Sequence, residues 1–192
     1  MGAEREQAKD SLAREFDAWL SVIPADVDAM TEMVRQRIGR ISRQFERVLA
    51  EVADAHSMST GDWEALSVLA RSEHGDGLTP GELGRVLGLT SGTVSVRIER
   101  LTASRLVERT DGSDKRQRPV RLTARGKRAW GEATVARTQI ESALMRDCLS
   151  GAQLDELGAL LGTLLARLET EYGPAPRHDM TRGRHHALTR ER

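Results

Sequence analysis

A mainly α-helical fold carrying one small β-hairpin, in the order of a winged helix-turn-helix, is predicted by three features of the chain. The run from Thr79 to Leu101 reads as a helix, a tight turn and a second helix. Two short apolar stretches, Leu106-Val107 and Val120-Arg121-Leu122, flank a polar segment rich in basic residues, as the strands of a hairpin would. Long segments on either side repeat their apolar residues at helical spacing.

Leu12, Phe16, Trp19 and Ile23 recur at helical intervals, so residues 10–23 form an amphipathic helix that Pro24 ends or redirects. A longer helix follows, with Met30, Val34, Ile38, Ile41, Phe45, Val48 and Val52 as its stripe and Arg35, Arg37, Arg40 and Arg43 mostly off it. Ser59 caps a third helix, with Asp62 in its first turn and Trp63, Leu66, Val68 and Leu69 as apolar positions. The Gly75-Asp76-Gly77 break closes that segment.

Thr79 and Glu82 form a capping box, and Pro80 sits where a missing N–H costs nothing, so a helix starts at residue 80. Leu83, Val86 and Leu87 give it an apolar face, Gly84 lets a neighbouring helix approach, and Gly88 ends it in the left-handed conformation. Thr90 or Ser91 caps the next helix, whose Val94, Ile98 and Leu101 point inward. Its other face carries Ser91, Gly92, Thr93, Ser95, Arg97 and Arg100. Short hydroxyl residues at a helix start fit a major groove, and arginines bond phosphate or the acceptor edge of guanine. In the hairpin, Lys115, Arg116 and Arg118 form a narrow basic finger, with Asp114 placed to orient one arginine. Such a finger suits the negative potential of a minor groove.

Charge location agrees with this reading. The whole chain is neutral, with 29 basic and 29 acidic residues, yet the twelve basic residues between 79 and 128 exceed the acids there by seven. A local basic field on a neutral protein directs a polyanion to one face.

Downstream, Thr123 caps a helix running from about 124 to 148 and carrying Trp130, Ile140 and Leu144. Ser150 and Gln153 make a further capping box, after which Leu154, Leu157, Leu161, Leu164 and Leu168 repeat at three and four. So regular a seam packs on another helix, either of a second copy or of the chain's own core. From Gly173 the chain reads as a disordered, basic tail.

The 39% hydrophobic content suffices for one compact domain with helical extensions, and no apolar run is long enough for a bilayer. Glu4, Glu6 and Asp10 interrupt the start where a signal peptide would lie, so a cytoplasmic location without membrane association is expected. The single cysteine, Cys148, excludes an internal disulfide and a two-cysteine zinc site; near a helix C-terminus it reads as a small semi-buried residue and not as a redox sensor. His178, His185 and His186 lie in the tail and make no defined metal site. No nucleophile or carboxylate constellation emerges, so neither an enzyme nor a cofactor is expected.

The arrangement resembles the MarR family of winged helix-turn-helix regulators over roughly residues 28–170. The resemblance rests on Leu78-Thr79-Pro80-Gly81-Glu82-Leu83, Arg97-Ile98-Glu99-Arg100-Leu101, Leu106-Val107-Glu108-Arg109, Asp114-Lys115-Arg116, and Val120-Arg121-Leu122-Thr123 with Gly126. It implies a homodimeric repressor of a palindromic duplex operator. Arg116 would enter the minor groove, braced by Asp114, with residues 28–55 and 124–172 forming the dimer. The family's small residue and proline after the first wing aspartate are here Gly112 and Ser113, which loosens the loop. The added helix with Trp19 resembles the urate-responsive subgroup, which implies a small aromatic anion as effector, bound by Trp19, Trp63, Glu64 and Arg97; Glu64 stands where that subgroup has aspartate. The organisation expected is an extension over 1–23, a dimerisation helix over 24–58, the winged lobe over 59–123, dimerisation helices over 124–172 and a tail over 173–192. The alternative is the same fold used as a protein-docking module, or as an activator without small-molecule control.

Overall fold

A computed structural model describes residues 10–22, 24, 26–72, 77–110 and 118–174 of the 192-residue chain. These form seven helices and one two-stranded sheet: α1 (Ser11–Leu20), α2 (Ala29–Ala55), α3 (Thr60–Ala70), α4 (Pro80–Leu87), α5 (Ser91–Ala103), β1 (Val107–Arg109), β2 (Val120–Leu122), α6 (Ala124–Cys148) and α7 (Gly151–Tyr172). The chain divides within α2, after Leu49, into two compact units.

In the first unit Asp10 accepts from the Ala13 amide and Asp28 from the Met30 amide, so each carboxylate supplies acceptors that the opening turn of its helix lacks. Leu12 and Phe16 are buried, as the spacing of α1 predicts. Arg37 pairs with Asp10 at 3.0 Å and Arg40 with Glu15 at 2.8 Å. Both pairs are largely in water, so they set the position of α1 on α2 more than they stabilise it. The α2 stripe is not a uniform core face: Met30, Val34, Ile38 and Ile41 are exposed.

The second unit opens with the end of α2, where Val52 is buried. Its core is built from Leu66 and Leu69 of α3, Leu83 and Leu87 of α4, Val94, Ile98 and Leu101 of α5, and Val107, Val120 and Leu122 of the hairpin. The expected caps form: Ser59, Thr79 and Ser150 each close a capping box, and Thr90 and Thr123 accept from the third amides of α5 and α6. Gly88 ends α4 at φ 62°, a conformation that costs a side chain energy and glycine little. Val94 of α5 lies 3.1 Å from where a Cβ on Gly84 would be, so the close approach of α4 and α5 depends on that glycine. Val86 departs from the expected apolar face of α4. It is exposed, because in a helix of eight residues the buried side is only as wide as Leu83, Gly84 and Leu87.

Strands β1 and β2 pair antiparallel, Val107 opposite Leu122 and Arg109 opposite Val120, and Leu78 adds a bridge to Val120. Helix α6 is held to α3 by two indole hydrogen bonds: Trp130 Nε1 donates to Ser67 Oγ at 2.8 Å and Trp63 Nε1 to Thr134 Oγ1 at 3.2 Å. Arg137 lies over the Trp63 ring at 4.7 Å. Helix α7 has no buried residue, and its leucine seam faces solvent in the single chain, so the seam is not part of this chain's own core. Cys148 is exposed rather than semi-buried, at the last residue of α6. Among the described residues no helix is long and apolar enough to cross a membrane, and no cluster of metal-ligating side chains occurs. The expected tail lies outside the described residues beyond Pro174.

Candidate nucleic-acid interface

Two helix starts and the root of the hairpin enclose one concave groove of about 850 Å³. Pro80 and Gly81 come from the first turn of α4, Ser91, Gly92 and Ser95 from α5, and Arg109 and Arg118 from the ends of the hairpin strands, with Arg85 at the rim. The sequence dictates this shape locally. The capping residues Thr79 and Thr90 begin both helices beside the groove that Pro80, Gly81, Ser91 and Gly92 line, so both positive dipole ends lie at it. The α5 side chains at its start are short, and a Cβ on Gly92 would meet no atom within 4 Å, which leaves room for a bulky polyanion. Ser91, Thr93 and Ser95 are all exposed.

The two arginines counted on the outward face of α5 turn toward α3. Arg100 Nε donates to Asp62 Oδ1 at 3.1 Å, Arg100 Nη2 also pairs with that carboxylate, and Nη2 lies 3.2 Å from Ser59 Oγ. Arg97 is half-buried, its Cζ only 2.7 Å from where a Cβ on Gly61 would stand, so that glycine leaves the space it fills. Its Nη1 is enclosed and has no hydrogen-bond partner among the described residues. The reason is rotational position: at about 100° per residue, Arg97 falls close beside the buried Val94 and Ile98, and Arg100 at the flank, within reach of α3. Asp114, Lys115 and Arg116 of the wing lie outside the described residues.

A sequence profile described as the MarR family matches residues 56–117, which span α3, α4, α5, β1 and the start of the wing. Residues 56–117 thus match the MarR family. That family comprises transcriptional regulators, and the mainly helical chain with its single antiparallel hairpin has the corresponding fold. The solved structures similar to it include three of MarR and MepR proteins. Apo MarR from E. coli is 22% identical, with 75% of this chain and 98% of that one covered and a TM-score of 0.57. A point mutant of S. aureus MepR, bound to an oligodeoxyribonucleotide, is 23% identical, with 70% and 97% covered and a TM-score of 0.54. S. aureus MarR in complex with salicylate and kanamycin is 19% identical, with 74% and 97% covered and a TM-score of 0.61. None of the curated proteins matches the chain.

The remaining candidate positions fall in both units. Trp63 is buried and bonded to Thr134, Glu64 is half-buried beside it on α3, and Trp19 belongs to the first unit, where it stacks on Phe16 with ring centroids 5.5 Å apart. Two residues of consequence were missed by sequence reasoning. Val96 is exposed at the centre of the outward face of α5; a helical wheel anchored on Val94, Ile98 and Leu101 would have found it. Asp62 was read only as a first-turn acid, and its second partner lies 38 residues away, beyond any local signal.

Asp62 is buried, and burial alone would raise its pKa, but hydrogen bonds from the Ser59 amide, Arg100 and the Ser59 hydroxyl outweigh that and hold it below the ordinary carboxylate range. A depressed folded pKa contributes stability that is present above the unfolded value of about 4 and is lost as pH falls through the folded value. Asp62→Asn is expected to destabilise the lobe by about 1–2 kcal/mol at neutral pH. The gap between variant and parent should close as pH drops below about 4. Urea titrations across that range measure it, and a gap independent of pH would contradict the ion pair.

Proposed function

We propose that the chain is a homodimeric repressor that lays residues 91–104 of each subunit in successive major grooves of a palindromic duplex and the wing with Arg116 in the adjacent minor groove. The observation that carries this reading is the groove bounded by the starts of α4 and α5 and by Arg85, Arg109 and Arg118. It combines helix-end amides, short side chains and positive charge, which is what a phosphate strand with a base edge behind it requires. The oligonucleotide held by the S. aureus MepR mutant supports the same use of the fold. Asp114, Lys115 and Arg118 would assist as wing contacts, and Ser91, Gly92, Thr93 and Ser95 as groove contacts. Arg97 and Arg100 would set the angle of α5 by holding its inner side to α3, and Arg97 would also serve the effector.

The exposed leucine seam of α7 supports a second copy as its partner, since two recognition helices about one duplex turn apart read a palindrome where one reads a few base pairs. A small aromatic anion as the releasing effector fits the enclosed Nη1 of Arg97, which has no partner among the described residues, and the salicylate bound by S. aureus MarR. Trp63 and Glu64, on α3 of the same unit, would complete its site. The chain would act inside the cell without catalysis.

Gel shifts on the promoter of its own gene test the central claim. Affinity should fall steeply with salt, and Arg85→Ala should weaken binding about three- to tenfold and lower the logarithmic salt slope by about one phosphate contact. Binding that is insensitive to salt and to Arg85→Ala would refute the groove as the interface. For the effector, a thermal-shift screen of aromatic carboxylates should give hits that Arg97→Ala abolishes; hits unchanged in Arg97→Ala and Trp63→Ala rule that site out.

A further inference from the structure

We propose that Val96 reads a thymine in each half-site through its C5-methyl group, an assignment that rests on the DNA-binding reading above. Val94, Ile98 and Leu101 define the inward side of α5, and Val96 lies about 200° round the helix from Val94. It is 64% exposed. Of its neighbours on that side, Gly92 one turn earlier has no side chain and open space before it, Glu99 stands one turn on, and Arg100 turns away to Asp62 of α3. The two methyls of Val96 are therefore the largest apolar surface on the face that α5 presents outward, one turn beyond residues lining the groove.

An exposed β-branched residue at this place gains nothing for the helix, where valine has weaker propensity than alanine or the charged residues, and it leaves apolar area in water. A major groove supplies an apolar partner in only one form, the thymine methyl. The alternative neighbour, the phosphate backbone, is disfavoured by Glu99, which lies on the same strip of α5 and would be repelled by phosphate. That strip accordingly faces base edges, with Val96 against a methyl and Glu99 in range of the amino groups of cytosine or adenine.

The test starts from duplexes selected by the full chain from a random library. Each thymine of the selected site is then replaced, symmetrically in both halves, by deoxyuridine, which removes the methyl and nothing else. Gel shifts are run with the parent protein and Val96→Ala, an exposed position where truncation leaves the core intact. At one thymine pair the parent should lose about ten- to fifteenfold in affinity, on the order of one buried methyl in each of the two half-sites, while Val96→Ala loses less than about twofold. A selected site with no methyl-sensitive thymine, or equal losses in parent and variant, overturns the assignment while leaving sequence-specific binding intact. Failure of the library to enrich any sequence overturns the DNA-binding reading itself, and is distinguishable by that absence.

Discussion

Replacing Leu161 and Leu164 together by aspartate is expected to leave the chain monomeric and to lower its affinity for a selected operator by about a thousandfold, the gap between specific and non-specific binding of a duplex. Helix α7 is 22 residues long, contains no buried residue, and exposes Leu157, Leu160, Leu161, Leu164, Leu165 and Leu168. A helix with so much apolar surface in water lacks the packing from which helices in proteins gain most of their stability. The seam positions repeat at three and four, so charges at 161 and 164 fall in the middle of any helix laid along them. Because neither leucine is buried within its own chain, the winged lobe should keep its fold, and far-ultraviolet dichroism should retain most of its helical signal. Sedimentation velocity and gel shifts read the two effects together. A double variant that sediments and binds as the parent does would refute the seam as the proposed dimer contact.

Gly126→Ala is expected to destabilise the lobe by about 3 kcal/mol or more, at the upper end of overpacking effects. Gly126 is the third residue of α6, buried, and its amide donates to the capping hydroxyl of Thr123 at 3.0 Å. A Cβ there would overlap the carbonyl oxygen of Leu106 and stand 2.9 Å from its carbonyl carbon. That carbonyl cannot retreat cheaply, since it accepts from the Thr123 amide at 3.1 Å, and the Thr123 hydroxyl bonds the Arg105 carbonyl at 2.7 Å. The start of α6 is thus stitched to the corner where α5 ends and β1 begins. Gly131→Ala is the matched control: it is five residues further along α6, a Cβ there meets no atom within 4 Å, and it should stabilise by about 0.5–1 kcal/mol through helix propensity. Urea denaturation of the two variants separates the close approach from the general effect of removing a glycine. Equal and small changes in both would show that α6 can shift at its start.

Much of the lobe was legible because its signals act over three or four residues. The capping boxes at Thr79 and Ser150 pair a hydroxyl with an acid or amide three positions on, and the burial of Val94, Ile98 and Leu101 follows from periodicity alone. The left-handed Gly88 belongs to the same class. Where a side chain could reach more than one neighbour, local pattern did not decide. Arg97 and Arg100 read as outward charges, but their direction depends on Gly61 leaving space and on Asp62 offering an acceptor, both contributed by a helix more than thirty residues earlier. Val86 looked apolar enough for the core of α4, and the width of the actual contact with α5 left it in water.

By itself, then, the chain's order of residues determined where helices start and stop, which faces are apolar and where positive charge accumulates, since hydrogen bonding and amphipathicity are short-range properties of the backbone. Only the packed structure decided that two arginines of α5 brace it against α3, that Val96 stands outermost, and that the α7 seam is exposed. Those outcomes depend on distances between segments far apart in the chain, which are set when α3, α5 and α6 close on a common core.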